Sequence, residues 1–202
     1  VSKLSEEQIL KNKEVVEKLI ESFPEPRRGL VQAMMAGPVG EEYFVAPAST
    51  KEEHHSAFPG GLADHSLRVV RHLRNLAKTL CPDKFKTETL DFVGLFHDLG
   101  KTGDMVVPYY KLLEGPKHSW KRERGEFYET NKECVHMPTQ ERALFILQNY
   151  EIVLTADEYL AIRLHDGQYD PSNVKYAMKE PDLALLVHFA DRWATAQEKI
   201  SV

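Results

Sequence analysis

His97 and Asp98 stand together at the end of an apolar run, Leu90 to Leu99, where polar side chains are out of place. Burying an imidazole beside a carboxylate costs about several kcal/mol unless both are paired or bound to a metal. A salt bridge or a helix-end cap would satisfy the pair, and so would a cation. A second anomaly is His188 with Asp191, one helical turn apart in the segment Leu183 to Ala194, which is apolar around most of its girth. A buried Asp there needs a cation or several donors, with Arg192 as the plainest partner. Imidazoles mixed with carboxylates suit Mn²⁺, Fe²⁺, Co²⁺, Ni²⁺ or Zn²⁺ better than the all-oxygen shells of Mg²⁺ or Ca²⁺.

Helices must position these groups. A helix is predicted from Leu62 to Leu80, with Leu62, Val69, Leu73, Leu76 and Leu80 on one arc, Arg68, Arg71, Arg74 and Lys78 opposite, and His65 at the edge of the apolar stripe. The next runs from about Glu88 to His97 and stops at Gly100. Further helices are expected at Ser5–Ser22, with Ser5 and Gln8 as a capping box, then from Arg27 to Gly37, Thr139–Tyr150, Thr155–His165 and Pro181–Lys199. Residues 37–61, rich in Gly and Pro, read as a lid or substrate loop. Met105 to Asn131 reads as an irregular β-hairpin with a Gly115-Pro116 turn. The last helix is expected to be buried on most sides.

The chain has 202 residues, 26 Lys plus Arg against 31 Asp plus Glu, nine His and two Cys. That length supports one domain with a core that needs no disulfide or metal staple. A net charge of −5 argues against stable binding of duplex nucleic acid through bulk positive charge, while small charged ligands and single strands remain open. Cys81 and Cys134 lack CxxC spacing and read as free thiols of a cytoplasmic protein. No apolar run reaches a membrane span, and Val1-Ser2-Lys3 lacks the pattern of a signal peptide.

The words "GGLADHSLRVV", "FHDLGK", "AIRLHDG" and "LLVHFADRWAT" occur in this order. With them the stretch from about Gly60 to Lys199 resembles the HD-domain metal-dependent phosphohydrolase superfamily. The resemblance implies an all-α HD-domain helical bundle, here with a small β-hairpin insertion. Residues 1–202 would form a single domain, with 1–60 as a helical extension and loop and 61–199 as the HD core. It implies His65, His97, Asp98 and Asp191 as ligands of one divalent metal. In binuclear branches two further histidines bind a second metal that the HD aspartate bridges to the first. His136 and His165 occupy that order, although relatives carry Gly-His-Gly-Glu where this chain has Val135-His136-Met137-Pro138. The expectation is one or two transition metals per chain, with His97, Asp98 and Lys101 as the catalytic group and Lys101 neutralising a phosphate oxygen.

Softer candidates surround this set. His54 and His55 precede the Gly60-Gly61 pair and are expected to contact substrate or to protonate a leaving group. Lys117, His118, Lys121, Arg122 and Arg124 interleave with Trp120 and Tyr128, a composition able to hold phosphate and stack a base, Lys121 and Arg122 above all. A solvated hairpin face with its aromatics turned inward is the reading the composition favours. His188 is expected to orient a ligand by hydrogen bonding. The function these readings favour is hydrolysis of a phosphomonoester or phosphodiester in a nucleotide or short single-stranded oligonucleotide. The alternative is a nucleotide-binding regulatory module without turnover.

Overall fold

A computed structural model describes residues 4–200, so Val1, Ser2 and Lys3, read above for a targeting signal, lie outside the described residues. The chain is helical with one small hairpin, as the apolar periodicity predicts. In order it forms α1 (Glu6–Glu21), α2 (Arg27–Met35), α3 (Pro38–Val45), α4 (Gly61–Leu80) and α5 (Thr87–Phe96). After these come β1 (Tyr110–Leu112), α6 (Ser119–Glu123), β2 (Tyr128–Thr130), α7 (Thr139–Asn149), α8 (Ala156–Leu164) and α9 (Asp182–Ile200). No helix among the described residues is long and apolar enough to cross a membrane.

α4 is the central helix. It packs against α5 on one side and α9 on the other, α8 lies against α9, and α1 and α3 cover α4 from the N-terminal side. Leu62, Val69, Val70, Leu73 and Ala77 supply its buried face, against Phe92, Val93 and Phe96 of α5 and Leu183, Leu186, Val187 and Ala190 of α9. Leu80, expected in the same stripe, is exposed, in an open hollow it shares with Phe189 and Trp193 of α9. Caps agree with sequence chemistry at two ends. Thr155 and Glu158 form a full capping box, while Ser5 accepts from the Gln8 amide but the Gln8 side chain turns to Asn12, leaving half a box.

Three expectations need correction. The segment 37–61 is not all loop, because Pro38 sits in the first turn of α3, where its missing N–H costs no hydrogen bond. The hairpin holds only three residues per strand, antiparallel with Tyr110 opposite Thr130, and carries the short helix α6 between them. Trp120 of α6 is exposed, with Lys121 and Arg124 near its ring, rather than turned to the core. The expected burial of α9 holds around most of its girth, while Phe189 and Trp193 face outward at 50% and 58% exposure.

Candidate metal centre

Four helix ends or faces converge on one buried point. α4 brings His65 in its second turn, and α5 ends directly before His97 and Asp98. A tight turn, Leu99–Thr102, then carries Lys101. α8 ends at His165 and Asp166, and α9 contributes Asp191. Gly100 permits this convergence, since a Cβ there would lie 1.9 Å from the Thr139 carbonyl oxygen at the start of α7. His65 and His97 are completely buried.

Each of three imidazoles is oriented through its Nδ1. In His97 that atom faces the Gly94 carbonyl at 2.9 Å, and in His165 the Ile162 carbonyl at 2.8 Å. A carbonyl only accepts, so both Nδ1 atoms carry a proton, which leaves Nε2 as the nitrogen that can offer a lone pair to a cation when the ring is neutral. His65 Nδ1 lies 3.0 Å from Glu198 Oε1, whose other oxygen accepts from Ser56 Oγ at 2.8 Å. The three Nε2 atoms then face the carboxylates. His97 reaches Asp98 Oδ2 at 3.5 Å, His165 reaches Asp98 Oδ1 at 3.4 Å, and His65 reaches Asp191 Oδ1 at 3.1 Å. The His65 and His97 Nε2 atoms nevertheless have no partner in hydrogen-bond geometry, although both are buried. Unpartnered buried nitrogens aimed at carboxylates fit a cation site better than a closed salt-bridge network.

Among the described residues four overlapping sets form, the ligand atoms of each lying within 4.8 Å of one another: His55 with His65 and Asp98, His65 with His97 and Asp191, His97 with Asp98 and His165, and His165 with Asp166 and Asp191. The donor chemistry fits one or two divalent transition metals. Charge is distributed accordingly. Burial alone would lower His65, but Asp191 and Glu198 raise it to about 10. Burial likewise opposes His165, which Asp166 and Asp98 raise to about 10. Burial would raise Asp98, yet Lys101, His97 and His165 hold it well below the usual carboxylate range. Lys101 is lifted by Asp98, to which its Nζ donates at 2.6 Å. His55 is lowered to about 3 by burial and by neighbouring His65 and Lys101, which keeps it neutral.

The structure brings together His55, His65, His97, Asp98, Lys101, His165 and Asp191. It does not bring His136. Arg142, buried beneath that segment, donates to the carbonyls of Val135 and Met137 on either side of it, so the intervening His136 side chain is exposed. The departure from Gly-His-Gly-Glu falls at this place. His54 is exposed beside Glu53. Lys121 pairs with Glu129, and Arg122 donates to the Leu113 and Gly115 carbonyls, so both serve their own hairpin. Arg192 does not pair with Asp191 and lies over the Tyr169 ring instead. His188 holds the expected orienting bond, Nδ1 to the His165 carbonyl at 2.8 Å.

Two further residues of the cluster were not among the sequence-based expectations. Asp166 completes a second His-Asp dipeptide, visible in "AIRLHDG". Glu198 lies seven residues after Asp191, within about 20° of it on a helical projection, a signal that was available.

The cluster opens into a cavity of about 260 Å³ lined by His55, Asp98, Lys101, His165 and Asp191 among others. A larger hollow of about 700 Å³, beside α7 and α8, contains none of the clustered histidines. Chemistry, not size, locates the site. Neither the curated proteins nor the solved structures give a match. The HD domain family model matches residues 62–196, a span that begins at the helix carrying His65 and ends beyond Asp191. The chain therefore belongs to the HD-domain family, whose members are generally metal-dependent phosphohydrolases.

Proposed function

We propose that the protein hydrolyses a phosphomonoester or phosphodiester of a nucleotide or short single-stranded oligonucleotide in the cytoplasm, with one or two ions of Mn, Fe, Co, Ni or Zn as cofactor. The carrying observation is the convergence of three Nδ1-anchored imidazoles, two with unpartnered buried Nε2 atoms, on Asp98 and Asp191. His65, His97, Asp98 and Asp191 would hold one metal, and Asp98 with His165 and Asp166 a second. When bound, such an ion supplies a Lewis acid and a water of lowered pKa as the nucleophile.

The chain's own groups do the rest. Lys101, fixed by Asp98 at the cavity wall, offers its ammonium to a phosphate oxygen. His55 faces the same cavity with an Nε2 that has no partner. Because it is held neutral, it serves as a hydrogen-bonding contact to the phosphate ester rather than as a standing acid. Burial of His65 and His97 closes that side of the centre to bulk water, which leaves the cavity lined by His55, Lys101 and Asp191 as the approach for substrate.

The test is turnover by purified protein loaded with Mn²⁺, Co²⁺ or Ni²⁺ on nucleotides, short single-stranded DNA and RNA, and bis(p-nitrophenyl) phosphate. Metal-dependent release of product, lost in Asp98→Ala, is expected. Tight nucleotide binding with no hydrolysis under any metal would instead establish a regulatory module.

A further inference from the structure

Part of the wall of the metal cavity, Tyr169, His188 and Arg192, is made by residues that the metal chemistry does not use. Tyr169 stands at the rim, 73% exposed, on the tight turn Gly167–Tyr169 that follows His165 and Asp166. This turn is rigidly held. Gly167 adopts φ +57°, and a Cβ there would lie 2.5 Å from the His188 ring packed beneath it. Asn173 donates to the Gly167 carbonyl at 2.8 Å, and Gln140 donates to both Asp166 and Asp170. An aromatic ring fixed this firmly yet left in water adds little to the core.

Tyr169 and His188 are shared between the metal cavity and a second hollow of about 420 Å³. The second hollow is mainly apolar, with Leu164, Ala184, Leu185 and Phe189 in its walls. Rings continue across it, Tyr169 to His188 at 6.2 Å between centroids and His188 to Phe189 at 5.7 Å. Arg192 lines the metal cavity, contacts the Tyr169 ring at 5.6 Å, and forms no salt bridge among the described residues. A polar chamber thus adjoins an aromatic one, with an uncommitted guanidinium beside them.

We infer that Tyr169 and Phe189 form a base-binding subsite next to the metal centre, with Arg192 holding a non-bridging phosphate oxygen of the same nucleotide. The inference rests on the phosphohydrolase reading and deepens it. A phosphate at the metals, a guanidinium able to meet its oxygens, and an adjoining apolar hollow lined by aromatic rings match a nucleoside phosphate. A bare sugar phosphate would leave the aromatic slot empty. Stacking tolerates every base, so the subsite favours nucleotides as a class over any one of them.

The test compares adenosine 5′-monophosphate with ribose 5-phosphate, which lacks only the base, by calorimetry on Mn²⁺-loaded protein. The wild type is expected to bind the nucleotide about 10-fold or more tightly than the sugar phosphate. Tyr169→Ala and Phe189→Ala should each reduce that preference while leaving ribose 5-phosphate affinity unchanged, and Arg192→Gln should weaken both ligands. Both ring positions are exposed, so the variants should fold. Equal binding of the two ligands by wild type, or a preference unaltered by either ring deletion, overturns the subsite. Hydrolysis of bis(p-nitrophenyl) phosphate is scored separately. Its absence counts against the phosphohydrolase reading, whereas its presence without a base preference removes only the subsite.

Discussion

The cluster around Asp98 and the hairpin around Lys121 are both dense in titratable groups, yet their polar atoms are in opposite states. In the hairpin Lys121 has Glu129, Arg122 has two backbone carbonyls, and Trp120 is flanked by cations in water. In the cluster three buried imidazole nitrogens, of His55, His65 and His97, have no hydrogen-bond partner, and a buried lysine is set against a buried carboxylate. A charged region that satisfies itself has nothing left to offer a ligand at low cost. A region that holds unsatisfied groups out of water is paid for by what it binds. The contrast predicts that changes in the cluster act on metal binding and turnover, and that changes in the hairpin act on local stability alone.

The largest effect should come from Asp98→Ala, which removes the carboxylate that meets His97, His165 and Lys101 together. Turnover should fall to background with every metal, and metal content per chain should drop by at least one ion, as atomic absorption would show. Retained turnover would dissolve the contrast. Next, Glu198→Gln keeps the shape of the side chain but weakens the acceptor behind His65. Loss of such a supporting partner typically costs about 10–100-fold in metal affinity, and a competition titration against a chelating dye would read it. Ser56→Ala should move the same titration less, since Ser56 touches only the far oxygen of Glu198.

Metal removal and pH sharpen the comparison further. An ion at about 100 times its dissociation constant stabilises by about 2.7 kcal/mol, or roughly 5–10 °C in Tm for a chain of this size. His65 and His165, both raised to about 10 in the metal-free protein, set the sign. Their stabilisation is fully present below the ordinary histidine value of about 6.5 and is lost as pH rises through about 10. The chelated protein should therefore lose Tm between pH 7 and 10. A bound metal needs the neutral imidazoles, so the gap between loaded and metal-free Tm should widen over the same interval.

Much of this was legible in the chain, and for a physical reason. Polar residues inside apolar helical stripes stand out against a strict periodicity, which marked His97, Asp98 and Asp191, and the resemblance to the HD superfamily joined His65 to them as a ligand set before their distances were known. α4, α5, α8 and α9 follow from the same periodicity. α3 did not, because Pro38 and Gly40 suggest a loop unless the proline is placed in the first turn. His136 was chosen by its order along the chain, which carries no information about Arg142 drawing the flanking carbonyls inward. Asp166 and Glu198 belong to contacts between helices that only packing reveals, although the seven-residue step from Asp191 to Glu198 was there to be seen.

The smallest effect belongs to the hairpin and tests the contrast from its other side. Arg122 is half-buried and donates to the carbonyls of Leu113 and Gly115 at 3.0 and 2.9 Å. Arg122→Ala leaves those carbonyls to water, which can reach Gly115 more readily than the buried Leu113. The expected cost is about 1 kcal/mol, below the full value of charge-assisted bonds because the site is partly solvated. That corresponds to a fall of about 2–4 °C in Tm. KM and kcat should stay within about twofold of wild type, because neither carbonyl belongs to the metal cavity. A substrate path across the hairpin would instead show as a large rise in KM at unchanged Tm, since a cation spent on substrate would then matter more than the turn it holds.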